Sequence, residues 1–149
     1  MAVLGTVLAT AVSGCSATPE VDPDAVQEWL TTQESVEVPG ALAAMSGVAS
    51  ALSDTVEAEG ITATFEEPHP VVSVLFACFG PETMSAAVTL SGFDADDSPT
   101  SLVIRTDDLS CDGESQKIDM AMDAAIAVTT NGLSVGATGG WSAVVVGED

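Results

Sequence analysis

Positive charge is nearly missing from this chain. Arg105 and Lys117 stand against 23 Asp and Glu in 149 residues, a formal net charge of −21. Nucleic-acid binding needs a basic footprint that displaces counterions from phosphates, and two cations cannot supply one. Electrostatic docking on anionic lipid headgroups is excluded for the same reason. There is no tyrosine, and Trp29, Trp141, Phe65, Phe76, Phe79 and Phe93 are too few and too core-like for a carbohydrate-stacking platform. The single histidine, His69, cannot build a multi-histidine metal site, and no Gly-x-Ser-x-Gly elbow supplies a nucleophile. A hydrophobic content of 46% with 13 Gly and 7 Pro still marks a chain that folds.

The N-terminus is the most informative segment. Residues 1–15 carry no charge, and Ala2 to Val12 are apolar or small. A membrane span needs about 20 apolar residues, so this is a short signal-peptide core. It ends in Val12-Ser13-Gly14-Cys15, which resembles the lipobox of bacterial lipoprotein signals. Small residues fit the peptidase subsites beside the cut, and the Cys15 thiol takes a diacylglycerol thioether and becomes the new N-terminus. No Lys or Arg precedes the core, as it does in a secretory signal; a start codon further upstream accounts for that. The small, polar stretch from Ser16 suits a tether. The expected organisation is a signal over 1–14, a lipidated Cys15 and tether over 15–21, and one extracytoplasmic domain over 22–149, helical over 22–59 and β-rich over 60–149.

With Cys15 lipidated, Cys78 and Cys111 remain, and an even pair in an exported chain reads as one structural disulfide. Asp22-Pro23 starts a helix carrying Val26, Trp29 and Leu30 on one face. After Pro39-Gly40, the spacing of Leu42, Met45, Ala49, Leu52 and Val56 predicts a second helix over about 41–58, stopped by Gly60. From residue 61 the period becomes two. Runs at 61–66, 71–78, 84–90, 102–105, 118–122, 126–128, 133–135 and 141–145 predict about eight short strands, with Asn131-Gly132 as a hairpin turn. Helices before strands, not between them, predict an α+β, mostly β fold: an antiparallel β-sandwich preceded by one or two helices.

The lipobox, the acidic helical section, Cys78-Phe79-Gly80, Cys111-Asp112-Gly113 and the Gly-Trp strand together resemble small secreted lipoproteins of the actinobacterial type. That resemblance implies a cell-envelope address on the outer leaflet of the cell membrane and transfers no catalytic residues. The expected function is non-catalytic binding or scaffolding of an envelope protein or ligand, with no cofactor. The alternative is a calcium-dependent adhesion or sensing module. Asp94, Asp96 and Asp97 resemble the start of a calcium loop, although Pro99 and Arg105 occupy the turn-glycine and bidentate-glutamate positions. Asp107, Asp108, Asp112 and Glu114 form a second acidic cluster, and a hard cation would need the two to meet. His69, between Pro68 and Pro70, reads as an exposed loop residue between strands.

Acid in this excess over Lys is also a high-salt signature, because salt screens self-repulsion. Between about 10 mM and 1 M salt the Debye length falls from about 30 to about 3 Å, so the melting temperature should rise across that range; an unchanged value would refute this reading.

Overall fold

The computed structural model describes residues 20–49, 60–134 and 136–148. Asp22, Pro23 and the apolar stripe behind them form α1, Pro23–Glu34. The Asp22 carboxylate accepts from the Asp24 amide at 2.9 Å, and Pro23 takes the first turn, where its missing N–H costs nothing. Val26 and Leu30 are buried. The helix continues a turn past Leu30. Thr31 and Thr32 donate their hydroxyls to the carbonyls of Gln27 and Glu28, and Ser35 caps the end.

The second predicted helix is not there. Residues 41–49 form a strand, β1 (Ala41–Ala49), and 50–59, the rest of that prediction, lie outside the described residues. Among the described residues α1 is the only helix. β1 pairs antiparallel with β5 (Gly139–Gly147), from Ala41 opposite Val146 to Ala49 opposite Gly139. The reason is tertiary. Gly47 disfavours a helix by about 1 kcal/mol relative to alanine. In the strand its bare backbone lets Trp141 lie across it, for a Cβ there would sit 3.1 Å from the indole. The backbone ladder with β5 outweighs the helix propensity of an alanine-rich run.

Downstream, the chain makes four long strands where the eight predicted short runs stood. β2 spans Ile61–Phe93, β3 Pro99–Asp112 and β4 Gln116–Leu133, followed by β5. The runs at 61–66, 71–78 and 84–90 all belong to β2. With β1, the sheet has five strands, all antiparallel, in the path β1-β5-β2-β3, and β4 pairs with β2. The pairing of β2 with β4 is double. Residues 61–64 oppose Thr130 to Ala127 along one side of β4, and Val88 to Ser91 oppose the same four residues along the other. β2 therefore curls around β4, helped by Gly80 at φ +118° and Pro81.

Asn131-Gly132 is not a hairpin turn. Both residues lie within β4, opposite Ala87 and Ala86. Gly132 is demanded by packing, since a Cβ would fall 2.5 Å from Trp141 Cδ1 and 2.9 Å from Met84 Sδ. Inside the curl, Val74, Phe76, Cys78, Val88, Leu90, Val128, Ala143 and Val145 are fully buried, with Phe76 stacked on Trp141 at 6.1 Å. In β4, buried Ile118, Met120 and Met122 alternate with exposed Lys117, Asp119, Ala121 and Asp123, the half-buried pattern read from the sequence.

Gly132→Ala should lower stability by about 1–3 kcal/mol, the usual cost of overpacking a tight core. Urea denaturation checks it, and a midpoint equal to that of the parent would show that the Trp141 ring is free to move.

Candidate functional site

The covalent centre of the domain is the Cys78–Cys111 disulfide, with a Cα–Cα distance of 4.4 Å. It staples β2 to β3, and both cysteines are buried. The Gly113 amide donates to the Cys78 carbonyl at 3.0 Å, so the chain leaving β3 is held at the same point.

A patch of glycines around this staple seats α1. A Cβ on Gly140 would meet Val26, Trp29 and Leu30 at 3.0–3.3 Å. One on Gly113, at φ +88°, would stand 3.0 Å from Trp29 Nε1, and one on Gly80 would be 2.8 Å from Val21 Cγ1. The Trp29 ring stacks on Phe79 at 5.9 Å. A cavity of about 260 Å³ opens beside the seat, lined by Val21, Ala25, Phe79, Gly80 and Cys111, with Glu20 and Asp22 also at its wall. In the sequence, Gly80 and Gly113 stand out only beside their cysteines, and Gly140 only before Trp141. Their nearness to Cys78, Cys111 and Trp141 was the available clue that they clear space for another element.

The two acidic stretches do not converge. Asp94, Asp96 and Asp97 lie in the β2–β3 turn, where Phe93 opposes Pro99, whereas Asp112 opposes Phe79 at the other end of the ladder. Asp107 follows Asp97 by ten positions, about 33 Å along an extended chain. Their carboxylates do local work. Asp94 Oδ1 accepts from the amides of Asp96 and Ser98, both at 2.9 Å, and Asp112 Oδ1 accepts from the Glu114 amide at 2.9 Å. Asp97 and Asp108 supply left-handed backbone at φ 59° and 57°. Asp107 bonds the Ser85 hydroxyl and pairs with Arg105 at 2.9 Å, and those two contacts hold its carboxyl below the usual carboxylate range. No cluster of three or more His, Cys, Asp or Glu that could hold a metal exists among the described residues.

His69 is not in a loop. It lies within β2, half-buried, opposite Ala125. Pro68 and Pro70 cannot donate to the ladder, so the register shifts on both sides of His69 and the strand continues through irregularities instead of ending. Phe65 meets the imidazole edge-on at 5.7 Å, and with Thr64, Glu66 and Glu67 the pair lines an open concavity of about 540 Å³. Among the described residues that line it there is neither serine nor cysteine.

Val12, Ser13, Gly14 and Cys15 lie outside the described residues. No helix among the described residues is long and apolar enough to cross a membrane. No family model matches the chain, and no curated protein or solved structure is detectably similar to it.

The disulfide closes a loop across 33 residues of sequence. Cys78→Ala with Cys111→Ala should cost about 3–4 kcal/mol by the loop-entropy estimate. Urea denaturation of parent and variant reads it directly, and equal midpoints would mean that the strand pairing alone carries the corner.

Proposed function

We propose that this chain is a non-catalytic extracytoplasmic lipoprotein, held at the outer leaflet of the cell membrane by acyl chains on Cys15 and serving a binding or scaffolding role at the cell envelope. The observation that carries this reading is Val12-Ser13-Gly14-Cys15 at the end of an uncharged apolar run. The buried disulfide supports it, because such bonds persist in oxidising compartments and are rare in the cytosol. We read the curled sheet, whose β2 and β4 pass from one half of the pairing to the other, as a β-sandwich with one shared core.

The stretch from Ser16 to Val21 reaches at most about 20 Å, so the domain sits close to its anchor. A net charge of −21 repels anionic headgroups, and attachment then falls to the lipid. One acyl chain binds only marginally, whereas two or three hold.

Labelling with radioactive palmitate in the native host, followed by mass spectrometry of the N-terminal peptide, tests the anchor. The expected result is an acylated Cys15 at the mature N-terminus and no label in Cys15→Ala. Recovery of an intact, unacylated N-terminus from the cytosol would overturn the reading.

A further inference from the structure

We propose that the outer edge of β1 receives an extended, basic segment of a partner protein, which adds to the sheet as a further antiparallel or parallel strand. Among the described residues β1 pairs with β5 alone, and one row of its backbone N–H and C=O groups has no ladder partner among them. Nothing in the side chains of Ala41–Ala49 discourages a new strand. The segment has no charge and no proline, and Val48 is 54% exposed. Such an edge is a ready template for strand addition unless it is blocked.

The strand at the other end of the sheet path is blocked. β3 begins with Pro99, carries the exposed Arg105–Asp107 pair, and has Asp108 in left-handed backbone beside a register shift opposite Met84 and Ala86. Charge, proline and bulge are the usual devices against edge-to-edge pairing. One edge has all three, whereas β1 has a single register shift at its start, between Ala41 and Ala43, and neither charge nor proline.

Charge selects the occupant. Both cations of the chain are already paired, Arg105 with Asp107 and Lys117 with Asp119, each by an acid two residues along the same strand. Acids flank the start of β1. Glu37 is exposed just before it, and exposed Glu148 follows Gly147, whose amide donates to the Gly40 carbonyl at 2.9 Å. A second copy would bring another −21 to the same edge, and an acidic segment would be repelled likewise. A lysine- or arginine-bearing strand finds backbone partners in β1 and counter-charges around it. The inference takes up the binding role proposed above but does not need the lipid anchor, so an edge that fails to bind leaves acylation of Cys15 standing.

The test is amide hydrogen exchange on the purified full chain, with a nine-residue peptide alternating lysine with valine or threonine as the probe. Two controls replace its lysines with glutamate, or alternate residues with proline. The basic peptide should slow exchange at residues 41–49 by about tenfold or more, and neither control should. Ala44→Lys with Val48→Lys, at two exposed positions, should keep the melting temperature and weaken peptide affinity by about tenfold. Equal protection by the proline peptide would reveal unspecific charge attraction and overturn the proposal. So would slow exchange at 41–49 in the free monomer, or a dimer in sedimentation, because the edge would then be covered by the chain itself or by a second copy.

Discussion

Residues 127–130 of β4 have the same strand on both sides. Thr129 opposes Thr62 across one ladder and Thr89 across the other, and the Thr62 and Thr129 hydroxyls lie 2.7 Å apart. That double pairing is the constraint from which the rest of the domain follows. It forces β2 to curl, and the curl creates the interior that Phe76, Val88, Leu90 and Val128 fill. It also sets where side chains are not allowed. Gly132 and Gly47 lie against the Trp141 ring because two strands must close on one indole. The pairing is distant in sequence, with Thr62 and Thr129 separated by 67 positions, and closing such a loop has an entropic cost before any contact repays it. The Cys78–Cys111 bond ties β2 to β3 and shortens the search for that arrangement.

The acidity of the chain is compatible with this core because period-two alternation keeps the acids outside. In β4, Asp119 and Asp123 point to solvent while Met120 and Met122 point inward. Where acids collect, in the turns, they replace backbone partners. Asp94 and Asp112 accept amide protons that the turns would otherwise leave unbonded, and Asp97 and Asp108 tolerate left-handed backbone. Clusters that look like cation ligands in the sequence are, in three dimensions, the punctuation at the two ends of one hairpin. The surface pairs of Arg105 and Lys117 are well exposed and contribute little to stability; their consequence is that the two cations are neutralised where they stand.

Local chemistry was legible in the sequence, and long-range pairing was not. Asp22-Pro23 marked the helix start because capping is decided within four residues. Ile118, Met120 and Met122 marked a strand because alternation is local too. The pairing of Cys78 with Cys111 was readable from their number, two once Cys15 is set aside. Residues 41–49 were misread because their apolar spacing suits both periods, and only the partner β5 decides between them. Asn131-Gly132 was misread because its glycine answers to Trp141, nine residues away in sequence and adjacent in space. Eight short runs became fewer, longer strands because Pro68, Pro70 and Gly80 bend β2 without ending it. For the candidate site, the disulfide was foreseen, while the glycine seat of α1 was not, since no pattern in the chain says which helix needs room.

That seat links the fold to the proposed attachment. A helix of 12 residues is marginal on its own in water, so α1 is ordered by what it lies on. It lies on Gly140, Gly113 and Phe79, and Val21 just before it packs on Gly80. Those contacts surround the disulfide, where the Gly113 amide also bonds the Cys78 carbonyl. A chain held at Cys15 would pull on Val21 and α1 first, and the load would pass to the one corner of the sheet closed by a covalent bond. In this arrangement α1, the element that would stand nearest an anchor at Cys15, is braced at the Cys78–Cys111 bond.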